Sequence, residues 1–180
     1  PSIVLESACP RSGVKPQRII DGDTEEMIDA AYAAWRSDLV AGRATVLVSD
    51  SNESVTALNN RARTDLILDG TVRGSRESEL HDGTHAACGD IVITRRNDRR
   101  LLAGRGWVRN GDRWNVVDVR RDGSMLVRRA GSSWGTSVLL PADYVAEHVE
   151  LGYAVTSFRA QGLTTDTAHV LVDSTMTREN

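Results

Sequence analysis

Lysine is nearly absent from this 180-residue chain: of 22 basic side chains only Lys15 is a lysine. A G-x-x-x-x-G-K-[ST] loop is therefore missing, and with it the phosphate cradle of the ATPase type. A G-x-S-x-G nucleophile elbow is missing too. Cysteine is scarce: Cys9 and Cys88 lie far apart and match no paired framework, which points to free thiols in a reducing cytoplasm and away from a stapled secreted scaffold. No apolar run approaches the ~18 residues of a membrane span, and no charged-then-apolar segment opens the chain. The expectation is a cytoplasmic protein that is not integral to a membrane. The length suits one domain, or one carrying a small insert, able to bury roughly 70% of its unfolded surface without a staple.

The net charge of −3 excludes a protein that coats nucleic acid with its whole surface. Charge is unevenly placed, however. Between 89 and 130 there are eleven arginines, five aspartates and no glutamate, a local balance of +6 that leaves −9 elsewhere. Arginine presents planar bidentate donors that suit phosphate. A genome rich in G and C produces the same preference for arginine, so the location of these residues says more than their identity.

The pattern along the chain changes twice. Residues 1–17 read as an irregular lead-in, with a short strand at 3–5. Asp23-Thr24-Glu25-Glu26 has the form of a helix cap, and Ile28, Ala31, Tyr32, Trp35 and Leu39 follow at helical spacing up to Gly42. The run 44–48, Ala-Thr-Val-Leu-Val, is the signature of a strand covered on both faces in a parallel sheet. Asp50-Ser51-Asn52 then caps a second helix, with Val55, Leu58, Ala62 and Leu66 inward and Gly70 beyond its end. After Gly70, short alternating segments at 91–94, 117–119 and 125–127, separated by Gly, Asp and Asn, predict a small antiparallel barrel or sheet. Buried-strand character resumes at 153–156 and 168–172. The predicted architecture is α/β, a partial parallel sheet with helices at 18–73 and 151–180, interrupted by a β-rich insert at 74–150.

Metal chemistry has little support: His81, His85 and Cys88 lie in a turn-prone stretch with no second ligand pair, so no metal site is expected, and no catalytic residue is assigned. His148 and His169 read as packed or surface histidines. The segment that carries chemistry is 152–166, GYAVTSFRAQGLTTD, where a buried strand runs into a turn of hydroxyls, an arginine and a Gln-Gly step. Ligands of α/β sheets bind at such carboxyl ends.

This segment resembles motif V of superfamily-one DNA helicases of the RecD type, and is especially similar to the helicase half of conjugative relaxases of the TraA/TraI kind. Tyr153, Ala154, Thr156, Gln161 and Gly162 match; Phe158 replaces the usual His and Arg159 the usual Lys. Gly89-Asp90-Ile91-Val92-Ile93, with Val108-Arg109-Asn110-Gly111-Asp112, resembles the start of the small Src-homology-like β-barrel inserted in that family's second, RecA-like motor domain. Residues from about 18 to 180 fit the arrangement in order.

The resemblance implies that Thr156, Ser157 and Arg159 contact single-stranded DNA, while Gln161, Gly162 and Thr164 face the nucleotide. Small hydroxyls and amides at a strand end suit phosphate. The structural alternative is that Thr156 and Gln161 merely satisfy buried backbone groups. Asn52 at a helix start joins the DNA candidates, against the alternative of a solvent-facing cap. Arg95, Arg96, Arg99 and Arg100 line a DNA path or form a solvated face. Trp107, Trp114 and Trp134 stack bases, or at least two of them fill the barrel core.

The resemblance implies a fragment. The phosphate loop and the magnesium carboxylate belong to a first motor domain not represented here, so ATP and Mg are cofactors of the complete parent and none is expected for this chain alone. Single-stranded DNA and the missing motor domain are the expected partners; the oligomeric state is open. The competing reading is a free-standing nucleic-acid or protein-binding module left by gene truncation. An independent hydrolase has no supporting constellation.

Overall fold

The structure, a computed structural model, describes residues 2–6, 18–21, 24–131, 135–161, 163 and 165–171. It divides into two compact units, Pro1–Leu58 with Ala154–Asn180, and Asn59–Tyr153. The sequence pattern puts the divisions at 73/74 and 150/151. The first observed division falls inside a helix, because the second half of that helix carries Arg63, which is tied to Asp90 and Glu77 of the barrel unit.

The first unit is built on a five-stranded sheet. Its elements are β1 (Ser2–Glu6), β2 (Arg18–Asp21), α1 (Thr24–Val40), β3 (Thr45–Ser49) and the start of α2 (Asn52–Leu68). After the barrel unit come β13 (Ala154–Thr156), α4 (Ser157–Ala160) and β14 (Thr167–Leu171). The strand order is β13-β3-β14-β1-β2, with the first three parallel. The three apolar runs read from the sequence thus share one sheet, although more than a hundred residues of sequence separate β3 from β13. β3 is buried along its whole length, as a central parallel strand must be. Ala31, Tyr32 and Trp35 form the buried face of α1, with the Tyr32 and Trp35 rings 5.4 Å apart.

The lead-in is more ordered than its punctuated sequence implies. β1 spans Ser2–Glu6 rather than 3–5, pairs antiparallel with β14, and is followed by an unanticipated β2. Pairing with β1 satisfies backbone groups that β14 would otherwise present as an open edge. Asp23, the expected cap of α1, lies outside the described residues. On α2 the inward positions Val55, Leu58, Ala62 and Leu66 are all buried, as their spacing predicts.

The second unit is antiparallel. It comprises β4 (Arg73–Glu79) paired with β5 (His85–Cys88), and β6 (Ile91–Thr94). A separate hairpin follows, of β7 (Asp98–Ala103) and β8 (Gly106–Val108). β9 (Arg113–Val119), β10 (Met125–Arg129), β11 (Val138–Leu140), α3 (Ala142–His148) and β12 (Val149–Leu151) complete it. A five-stranded sheet in the order β11-β10-β9-β6-β12 wraps a core in which Trp114, Ile93, Met125, Val119 and Leu140 are fully buried. The β9–β10 turn is fixed by Asp122, whose Oδ1 accepts from the Ser124 amide at 3.0 Å and its hydroxyl at 2.7 Å.

Two glycines allow the close approaches this unit needs. Gly89 has φ +97°, and a Cβ there would lie 2.2 Å from the Thr71 carbonyl oxygen. A Cβ on Gly152 would come within 2.9 Å of the Val92 backbone. Among the described residues no helix is long and apolar enough to cross a membrane.

Candidate nucleic-acid interface

In the first unit the carboxyl ends of β3 and β13 lie side by side, with Thr156 opposite Ser49 in parallel register. The chain leaves one end through Asp50-Ser51-Asn52 and the other through Ser157. The Ser157 hydroxyl donates to Asp50 Oδ1 and lies 3.4 Å from the Ser49 carbonyl oxygen. Ser51, not Asn52, supplies the side-chain cap of α2: its Oγ accepts from the Ser54 amide at 3.0 Å. Asn52 is exposed at the first helical position.

Of the residues singled out in the sequence, Asn52, Thr156 and Ser157 are brought to one sheet edge. Arg159, half-buried, follows on α4, and Gln161 is exposed just after it. Gly162 and Thr164 lie outside the described residues. The edge offers hydroxyls and helix-start amides, a donor set suited to phosphate. It also holds the Asp50 carboxylate, which a phosphate must displace from Ser157. Phe158 is 82% exposed, a large apolar ring presented to solvent beside these donors.

The arginines of the barrel unit do not form one free cationic row. Arg95 is half-buried with its Nε 3.6 Å from Glu150. A guanidinium nitrogen of Arg96 is 3.0 Å from His148 Nε2. Arg100 grips Asp98 through two bonds, 3.1 and 2.8 Å, and these hold the Asp98 carboxyl down at about 2. Arg99 is exposed and lies over the ring of Trp107, its guanidinium 5.3 Å from the centroid. Two other arginines are structural. Arg129 binds Asp112 and covers Trp114 at 4.8 Å, and Arg113 donates to the Gly152 carbonyl at 3.0 Å. Desolvation pushes the Arg113 guanidinium down to about 10, although the residue as a whole is only half-buried. The tryptophans separate in the same way: Trp114 is core, Trp107 is half-exposed, and Trp134 lies outside the described residues.

Sequence reasoning missed a polar centre in the barrel unit. Asp90 is fully buried. Its Oδ1 accepts from the Tyr153 hydroxyl at 2.5 Å; its Oδ2 accepts from Arg63 Nε at 3.0 Å and from the Ala87 amide at 2.7 Å. Arg63 also binds Glu77 at 2.5 Å. Desolvation raises the Asp90 pKa despite these donors, and raises Tyr153 well above its ordinary value. Both residues belong to segments that stand out in the sequence, Gly89-Asp90 and Gly152-Tyr153. The signal available was a glycine beside each, but nothing local reveals that the two side chains meet.

The first unit has its own buried pair, His169 Nε2 with Asp38 Oδ2 at 3.0 Å, and Asp38 also binds Arg43. Burial lowers His169, with Asp38 opposing. Burial would raise Asp38, but its hydrogen-bonding neighbours outweigh this and lower it. The Thr167 side chain also hydrogen-bonds Asp38 from the same strand as His169, and the arrangement is that of a packed histidine in a polar cluster. Among the described residues no group of three or more His, Cys, Asp or Glu is placed to hold a metal ion. The Cys88 thiol donates to the Val117 carbonyl at 3.0 Å.

Comparison with known proteins bears on both units. Residues 79–150 match the family described as the Rv2311 SH3-like barrel domain, so the chain carries an SH3-like barrel. Two uncharacterized proteins of Mycobacterium tuberculosis, MT2373 and Rv2311, are each 38% identical over 80 residues, covering 43% of this chain and 45% of the relative. The probable conjugal transfer protein TraA of Sinorhizobium fredii is 25% identical over 154 residues, which is 85% of this chain and 13% of TraA. The chain thus spans less than half of the mycobacterial relatives and a small part of TraA.

Proposed function

We propose that this chain is part of the second motor domain of an ATP-driven DNA helicase or translocase acting in conjugation, with its inserted barrel. In this reading Asn52, Thr156, Ser157 and Arg159 form a track for the phosphates of single-stranded DNA. Gln161, Gly162 and Thr164 form one wall of a nucleotide cleft. ATP and magnesium belong to the complete motor, because phosphoryl transfer needs a cradle, a metal and charge-neutralising donors together.

The observation that carries the reading is the parallel order β13-β3-β14, which sets the Asp50-Ser51-Asn52 and Thr156-Ser157 corners against each other at the carboxyl edge of a sheet. The similarity to TraA, extending through both units, supports it.

A second reading is favoured by one observation. The family model that matches covers the barrel alone, residues 79–150, so a barrel of this kind is recognised as a module in its own right. In this reading the barrel binds nucleic acid without a motor.

Anisotropy of labelled single-stranded DNA separates the two. Ser157→Asp and Asn52→Asp, which place negative charge on the sheet edge, weaken binding under the motor reading. Unchanged binding by both variants, with binding lost on changes in the barrel, favours the second. In either case the chain alone turns over no ATP; DNA-stimulated hydrolysis that survives stringent purification would overturn both.

A further inference from the structure

The β7–β8 hairpin is hydrogen-bonded as its own two-stranded ribbon and not into the five-stranded sheet, although β7 packs beside β11. Leu102 and Trp107 are cross-strand partners on it, yet neither is buried: Leu102 is 72% exposed and Trp107 half-exposed. A core role explains neither side chain. From 98 to 109 the sequence holds four arginines and one acid, Asp98, a net charge of +3. Arg100 neutralises Asp98, so Arg99, Arg105 and Arg109 remain. Two of them lie over the same indole, with guanidinium carbons 5.3 Å (Arg99) and 4.9 Å (Arg109) from the ring centroid. Arg105 is exposed and has no partner among the described residues.

From this geometry we infer that the hairpin is a single-strand nucleic-acid site, in which Trp107 stacks one base while Arg99, Arg105 and Arg109 take the flanking phosphates. An indole face that attracts a guanidinium also accepts the face of a base, and stacking of this kind tolerates any sequence. Arginines at the ring are long, flexible and exposed, so a base entering the stack releases them to phosphate oxygens a few ångströms away. The indole thus keeps the cations gathered when no strand is bound. Duplex DNA fits poorly, because its bases are already stacked inside the helix. The inference rests on the nucleic-acid part of the proposed function and is independent of the motor part.

Anisotropy titrations with the full chain test it, using an oligothymidylate and an abasic oligonucleotide of equal length, which carries the same phosphates and no bases. Trp107→Leu weakens oligothymidylate binding by roughly five- to a hundredfold, the size expected for one lost stack. It leaves abasic binding unchanged, and Trp107→Phe restores most of the loss. Equal binding of oligothymidylate by Trp107→Leu and wild type, or equal losses on both probes, would overturn the site. Should Trp107→Leu fail to fold, the wild-type chain decides: preference for oligothymidylate over the abasic probe by a similar factor supports stacking, and equal affinities contradict it. Loss through Ser157→Asp with Trp107→Leu intact rejects this site and leaves the sheet-edge track standing. The converse result does the opposite.

Discussion

Among the described residues each unit buries one aspartate in a charged cluster, and the two carboxylates shift in opposite directions. Asp38, beside His169 and Arg43, lies close enough to the surface that its neighbours outweigh desolvation and lower its pKa. Asp90, with no exposed surface, sits where desolvation exceeds the combined pull of Tyr153, the Ala87 amide and Arg63. Depth, and not the number of partners, decides the sign. The barrel therefore carries the more demanding polar centre, one that is strongly destabilising when half dismantled.

The largest effect that would sharpen this contrast is expected from Asp90→Ala. It strands the Tyr153 hydroxyl and the Ala87 amide and leaves Arg63 with Glu77 as its remaining carboxylate partner, and breaking a buried pair costs about 3–5 kcal/mol. Asp38→Ala, which leaves Arg43 free to turn to water, is expected to cost about 1–3 kcal/mol. Urea denaturation followed by circular dichroism measures both. Equal costs would erase the distinction between the two centres.

Next in size is Tyr153→Phe, which removes one bond to a charged acceptor and leaves the ring in place, at about 1.5–3 kcal/mol. A midpoint shift in urea well below that of Asp90→Ala, yet clearly resolved, is the expected result. No shift would mean that the hydroxyl contributes nothing to holding the carboxylate.

The response to pH is smaller and has opposite signs in the two units. Asp90 has a raised folded pKa, so the folded state holds more protons than the unfolded chain above pH 3.8. Its contribution to stability grows as pH falls from the folded pKa toward that value. His169 has a lowered folded pKa, so its contribution is fully present above 6.5 and is lost as pH falls through the folded value. Between about pH 7.5 and 5.5, wild type should lose stability relative to His169→Gln. Toward about pH 4 it should gain relative to Asp90→Asn. Parallel pH profiles for wild type and either variant would contradict the assignment for that residue.

What the sequence disclosed, and what it concealed, follows from the range of the interactions. The runs at 44–48, 153–156 and 168–172 were legible because a strand covered on both faces must be apolar along its length. The inward face of α2 was legible from spacing alone. The Asp90–Tyr153 bond was not, since its partners are 63 residues apart and each is locally an ordinary strand-edge residue. Arg95 looked like a free cation because its partner, Glu150, is remote in sequence. Arg100 looked free although Asp98 is only two residues away, because alternation along a strand says nothing of which side chains curl back on each other. Trp107 and Trp114 are seven residues apart and read alike, but only Trp114 falls on the inward face of a strand in the main sheet.

We propose that this chain meets a phosphate backbone, at the sheet edge of one unit and at the hairpin of the other. Affinity of the full chain for an oligothymidylate, titrated against salt, tests it most directly. With about three to five phosphates neutralised, the logarithm of the association constant should fall linearly with the logarithm of salt concentration, at a slope of roughly −2 to −3.5. Affinity that does not change with salt, or no binding at low salt, would contradict the claim.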